Sequence, residues 1–354
     1  MPHAVVENRS ICACEHLFLA DEEGRSVLVV LAQATFSIRD AHTLTLADKA
    51  VPPSLTGLLH GADAAISSYR IEPALAFMKP TTDVVLLAHA QTGGRFVPEL
   101  QVVLRVGPLG KALRVIGDRV WVKSGAHIVA TRPQPFEQMP LVYERAFGGW
   151  DRSHPDPARH VFDPRNPVGV GFRAPDGRFE EGLRLPNIDD PNNPLQRYGQ
   201  SVAPAGVGFV SPHWQPRVAF AGTCDEAWQK DRMPLLPRDF DRRFFNAASP
   251  GLVAPGYLTG NEPVLVDNAS RWGRVMFNLP GTPAPPCRVQ MWRRPDVPLA
   301  LKLDTVVIDT DEERVLLLWR GHLPLRDGPH DVQGIELSEQ AKVAVGYAPR
   351  GAAV

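Results

Sequence analysis

Closely spaced acids are this chain's most direct route to chemistry. Asp239 and Asp241 flank Phe240, Asp189 and Asp190 are adjacent, and Glu144 stands in "YERAFGGW". Glycoside hydrolysis needs two carboxylates facing each other across a cleft, so a carbohydrate-active hydrolase using loop carboxylates is one expectation. The neighbouring residues favour another use. Arg238, Arg242 and Arg243 surround the Asp239–Asp241 pair. Adjacent guanidinium groups lower a carboxyl pKa and turn such a pair into a salt-bridged loop clamp.

Metal and phosphate chemistry are poorly served. Cys12, Cys14 and His16 form C-x-C-x-H, which is not the spacing of a C-x-x-C zinc clip. On a strand these alternate residues share one face. The histidines, among them His89, His127, His154, His160, His213, His322 and His330, show no ligand spacing on a recognisable element. No G-x-x-x-x-G-K-[ST] loop, H-E-x-x-H helix or G-x-S-x-G elbow occurs. The expectation is therefore a protein without metal, cofactor or catalytic residues.

Other polar residues look built to hold loops or to contact a partner. Glu144, Arg145 and Asn187 suggest one network. Gly148 and Gly149 permit positive φ or close backbone approach, and Asn166 and Asn187 can hydrogen-bond loop backbone. Trp214 and Arg217 in "HWQPR" join Tyr143, Asp239 and Asp241 as further loop-organising or partner-binding candidates. Tyr143, Phe147, Trp150, Phe172, Trp214 and Trp228 supply aromatic anchors of the kind that dominate interfaces. Most are expected in the core, with one or two exposed.

The elements that position these groups divide unevenly along the chain. Of 35 prolines, 25 fall between Thr131 and Ala300. Proline removes a backbone donor and clashes with the preceding helical turn, so this stretch is not regular helix. Its aromatics also exclude a solvated linker. It reads as shaped loops and short strands, with "RVAFAG" and "EPVLVDNA" as strands and "DEAWQKDR" as a short helix capped by Thr223 or Asp225. On either side the pattern is β. "SVLVVLAQATFSI" with "TLTLA", then "DVVLLAHAQT", "ELQVVLRVG" and "KALRVIGDRVWV", read as strands between turns. Residues 51–83 between them read as a loop-rich excursion with one helical turn. "LDTVVID" and "RVLLLWRG" flank a polar "TDEE" turn as a hairpin, and "GIELSEQAKVAV" reads as a final helix.

The expected architecture is mainly β: an antiparallel sandwich-like core with a loop-rich Pro/Gly-rich lobe and few short helices. Residues 1–130 form a β-rich region, 131–298 the loop lobe, and 299–354 a hairpin returning to the core and a short helix. The net charge of −1 over 354 residues gives no basic excess for nucleic acid. There is no signal-like N-terminus and no apolar run of about 20 residues to span a bilayer, so a cytoplasmic location is expected.

Twelve short motifs occur in a characteristic order: "KPTTDVVLLAHA", "GDRVW", "MPLVYERAFGG", "NPVGVGF", "LPNIDDP", "PAGVGF", "WQPR", "AGTCDEAW", "RMPLLPRDFDRRFFNAA", "GNEPVLVDN", "FNLPG" and "LDTVVID…WRG". Over about Leu28 to Gly321 they resemble the bacterial "domain of unknown function" family twenty-one sixty-nine. The chain departs from that pattern at Val170, Asp189 and Cys224. The resemblance implies a cytosolic adaptor or chaperone associated with type VI secretion. Such a protein binds a secreted effector, often one with a PAAR-like tip, and helps load it onto the VgrG spike. It implies no catalytic residues.

Overall fold

The apolar run Ser26–Ile38 forms one unbroken 13-residue strand buried on both faces. Side chains alternate across a strand. Leu28, Val30, Ala32 and Ala34 enter the main core, while Val27, Val29 and Leu31 pack against Ala74, Phe77 and Leu318 on the opposite face. Two-sided burial explains why the sequence is continuously apolar here instead of alternating. Each fully buried Val or Leu contributes about 1.5–3 kcal/mol.

The computed structural model describes residues 4–340. It is mostly strand, with one short α-helix. Ser26–Ile38 is central in a six-stranded sheet. The path runs Ala13–Ala20, Ser26–Ile38, Arg314–Pro324, Lys302–Asp309 and Asp83–Leu87, and Leu44–Leu46 also pairs with Ser26–Ile38. Ser26–Ile38 forms a hairpin with Leu44–Leu46, the expected Lys302–Asp309/Arg314–Pro324 hairpin is present, and within this sheet only the Lys302–Asp309/Asp83–Leu87 pair is parallel.

A second, antiparallel sheet runs Ile188–Asp189, Leu109–Ile116, Glu99–Val106, Pro263–Asp267 and Arg274–Asn278. Its inward residues, including Leu104, Leu113, Val266 and Phe277, share one apolar cluster with Leu28 and Val30. A third sheet of four strands adds Val289, Ile335 and Leu337 to the same cluster. Sheets facing one another across a shared core give the sandwich-like character. Tyr143 and Trp214, from the proline-rich stretch, enter that core too.

Three expected elements differ. Arg217–Phe220 is a 3-10 turn instead of a strand. The Arg217 side chain is buried among loop carbonyls, and Val218 N–H donates to Trp214 O at 2.9 Å. The final helix is not formed over its described part, because Val332–Leu337 is a strand between Val5–Asn8 and Cys287–Met291. Ile335 and Leu337 are buried on either side of half-buried Glu336, a two-residue period that a sheet satisfies. Residues 341–345 of that expected helix lie outside the described residues. The 51–83 excursion holds a small Leu58–Leu59/Tyr69–Ile71 pairing instead of a helical turn. The expected helix is present at Glu226–Asp231, where the Asp225 carboxylate caps Trp228 N–H at 2.8 Å.

Candidate functional site

The segment Tyr143–Arg145 makes a single 3-10 turn, and each side chain leaves it in a different direction. Tyr143 is buried, donates its hydroxyl to Ser249 Oγ at 3.0 Å and meets Trp214 edge-on at 5.5 Å. Glu144 collects donors from the 51–83 excursion: Ser68 N–H at 2.6 Å, Ser68 Oγ at 2.8 Å and Ser67 Oγ at 3.2 Å. Arg145 donates to Asn187 Oδ1 at 3.0 Å. Asn187 in turn donates to Ile116 O and Asp118 Oδ1, both at 2.9 Å, which ties the turn to the five-stranded sheet.

The chain then runs through Phe147–Gly148, which pairs in parallel with Val170–Gly171. Fully buried Asn166 closes this corner, its Nδ2 donating to Tyr143 O at 2.8 Å and Phe147 O at 3.0 Å. Gly148 and Gly149 have φ of 146° and 89°. A Cβ on either would lie 2.2 Å from a backbone oxygen, Asn166 O or Gly169 O, so this corner requires both glycines.

The glycine corner delivers Trp150 to the surface. Trp150–Asp151 pairs antiparallel with Val161–Phe162, and the Trp150 and Phe162 rings lie against each other, tilted by 40° with centroids 4.7 Å apart. Trp150, Val161 and Phe162 are 42%, 43% and 42% exposed, and Arg152 lies 5.3 Å from the Trp150 ring. Asp151 anchors the patch from below. Burial opposes its charge, yet hydrogen bonds from Ser153 N–H at 2.9 Å, Ala174 N–H at 3.0 Å and Arg173 Nη1 at 3.1 Å hold its carboxyl below the usual range. Arg173 is itself held by Glu180 and the Tyr198 hydroxyl. A half-exposed aromatic pair on so well-braced a base is preorganised for contact, which lowers the ordering cost of association.

The remaining candidates organise a neighbouring loop. Trp214 is buried and donates Nε1–H to His213 Nε2 at 2.9 Å. Arg217 donates to Phe244 O at 2.7 Å and Val210 O at 2.8 Å and pairs with Glu72. Asp241 receives Arg243 N–H at 2.9 Å and its guanidinium at 2.8 and 2.6 Å, which lowers its pKa as expected of a clamp. Asp239 departs from that expectation. Thr223, through N–H at 2.9 Å and Oγ1 at 2.8 Å, holds its carboxyl low instead of an arginine.

Tyr143, Glu144, Arg145, Gly148, Gly149, Asn166 and Asn187 therefore form one connected network. Trp214 joins it through Tyr143, whereas Asp239 and Asp241 each keep their own local donors. Among the described residues no group of three or more His, Cys, Asp or Glu side chains could hold a metal ion. Of the six aromatic anchors, Tyr143, Phe147 and Trp214 are buried, Phe172 and Trp228 half-buried, and Trp150 exposed. Phe162, Val161, Arg152, Asp151 and Arg173 were not legible as site residues. Only the richness of the segment in Arg and aromatic residues hints at them.

Fold and site together define a mainly β scaffold whose braced loops carry an exposed aromatic pair. Residues 23–320 match the family described as an uncharacterized protein conserved in bacteria (DUF2169), and the chain belongs to that family. No curated protein and no solved structure matches it. Among the described residues, no helix is long and apolar enough to cross a membrane.

Proposed function

We propose that this protein is a non-enzymatic adaptor of the bacterial cytoplasm. It binds a type VI secretion effector, of the PAAR-bearing kind, and helps load it onto the VgrG spike. The observation that carries the reading is the tilted, half-exposed Trp150–Phe162 pair with Val161 and Arg152 around it. Trp and Arg are the residues enriched at interface hot spots. The choice of partner rests on the family resemblance in the ordered motifs. The loop carboxylates fit this role as clamps, since Glu144, Asp239 and Asp241 are each committed to hydrogen-bond donors of the fold.

Co-expression of the tagged protein with a type VI effector and spike protein of the same bacterium, followed by size exclusion, tests the proposal. A stable effector complex is expected, together with poor effector solubility when the protein is omitted. Elution of the protein alone beside a soluble effector would overturn the reading. The Asp239→Asn/Asp241→Asn double variant addresses the hydrolase alternative. Loss of a glycosidase turnover with the fold retained would establish an enzyme in place of an adaptor.

A further inference from the structure

A cleft of about 370 Å³ opens beside the five-stranded sheet, a size within the range of small-molecule sites. Lys111, from the strand Leu109–Ile116, lines it, and so does Asp190, one residue past the strand Ile188–Asp189. The two strands pair antiparallel with Arg114 opposite Asp189, which sets the two charges near one another. Both residues are half-buried and border the open space.

Each of these charges lacks an oppositely charged partner. Lys111 Nζ donates to Ser249 Oγ at 2.7 Å and to Pro250 O at 2.8 Å, and both acceptors are neutral. An ammonium has three N–H donors, so one remains for a ligand. Asp190 Oδ1 accepts the Asn192 N–H at 2.8 Å, which leaves Oδ2 available. Among the described residues no carboxylate lies within ion-pair distance of Lys111 and no cation within that distance of Asp190, and the two do not bridge each other. Burial pushes the Lys111 amine down to about 8, and the field of Asp190 offsets this only in part. A carboxylate brought to Nζ would favour the charged form again. The third charged group of the wall, Arg165, is committed to Asp163, its Nε 2.8 Å from Oδ1. Much of the remaining wall is apolar, with Val210, Pro204 and Pro216.

We propose that this cleft binds a free α-amino acid with an aliphatic side chain. Its carboxylate takes the open N–H of Lys111, its ammonium the Asp190 carboxylate, and its side chain the Val210 and proline wall. Opposite charges that share a cleft without touching are complementary to a zwitterion. Hydrogen bonds between ionised groups are roughly twice as strong as neutral ones, so both ends of the ligand count. A simple anion would be repelled by Asp190, and a simple amine by Lys111. None of Trp150, Val161 and Phe162 lines the cleft, and the site does not depend on the adaptor reading.

Leucine, N-acetyl-leucine and leucinamide are the probes, titrated into the whole protein at pH 7 and constant ionic strength and followed by calorimetry and by Tm. Saturable binding of leucine is expected, at least tenfold tighter than for either blocked form. Asp190→Asn keeps an acceptor for the Asn192 N–H. It should weaken leucine at least tenfold and remove its advantage over N-acetyl-leucine, while the advantage over leucinamide remains. Lys111→Met should do the converse. Because Lys111 also holds Ser249 and Pro250, Asp190→Asn and the probe series on the unmodified protein decide if that variant does not fold. A leucine Kd above about 10 mM, equal binding of all three probes, or full leucine affinity in Asp190→Asn would overturn the proposal.

Discussion

Gly148 and Asn166 fit together so closely that a Cβ on the glycine would sit 2.2 Å from the asparagine's carbonyl oxygen. The contact is to backbone, which cannot rotate away, and Gly148 also holds φ at 146°. Gly148→Ala therefore combines a steric clash with a disfavoured backbone conformation, and either alone costs on the order of 1–3 kcal/mol. Urea denaturation should show a loss of at least about 3 kcal/mol. A loss below about 1 kcal/mol would mean that the corner relaxes freely and does not brace the surface.

The Asn166 side chain tests the same corner through chemistry in place of volume. Its Nδ2 is the donor for both Tyr143 O and Phe147 O. Asn166→Asp keeps the shape but sets a carboxylate oxygen against two carbonyl oxygens at a fully buried position. Leaving such acceptors unpaired costs about 1–3 kcal/mol, and more where a charge is involved. The expected result is a variant destabilised by about 3 kcal/mol or more at neutral pH. Stability close to that of the parent would show that the two hydrogen bonds are dispensable.

The sheets were readable because burial leaves a simple signature. Ser26–Ile38 and the strands flanking the Asp309–Arg314 turn are apolar runs too long and too β-branched for any other use. The glycine–asparagine corner was also readable, since Gly148, Gly149 and Asn166 have few other roles in an ordered loop. Phe162 was not, because its pairing with Trp150 joins two-residue strands eleven residues apart and leaves no periodicity. Arg217–Phe220 misled for a different reason: its apolar pattern suits a strand, but the buried contacts of Arg217 with Phe244 O and Val210 O fix a turn. In Val332–Leu337 a pattern compatible with a helix was overridden by a gap between two strands that needed filling.

Trp150 and Phe162 should matter for binding beyond their part in folding. Each is 42% exposed, so truncation gives up the buried remainder, about 1–2 kcal/mol for each ring, and Trp150→Ala/Phe162→Ala should still unfold cooperatively. Removing one hot-spot side chain weakens an interface by about 2 kcal/mol or more, which is roughly 30-fold in Kd. Pull-down and calorimetry against the co-expressed effector, beside a denaturation curve for each variant, separate the two effects. Unchanged capture by a well-folded double variant would move the docking surface elsewhere on the molecule.

Asp189 makes a pH-dependent contribution whose sign is fixed by its surroundings. It is almost fully buried at the edge of the five-stranded sheet, and burial pushes its carboxyl up to about 6 although Arg119, at 3.8 Å, and Arg114 pull it down. An unfolded aspartate titrates near 3.9, so the folded state holds this proton more tightly than the unfolded one. Stability from this residue therefore rises as pH falls from above 6 to below 4, and it is lost again as pH climbs through 6. The full swing is about 3 kcal/mol at 1.36 kcal/mol per pH unit. Asp189→Asn keeps the side-chain shape and removes the titration. Urea unfolding of parent and variant at pH 4 and pH 7.5 cancels the contributions of all other groups in the difference. The parent should gain on the variant at the lower pH, and a difference independent of pH would show that Asp189 is ionised throughout and held by Arg119.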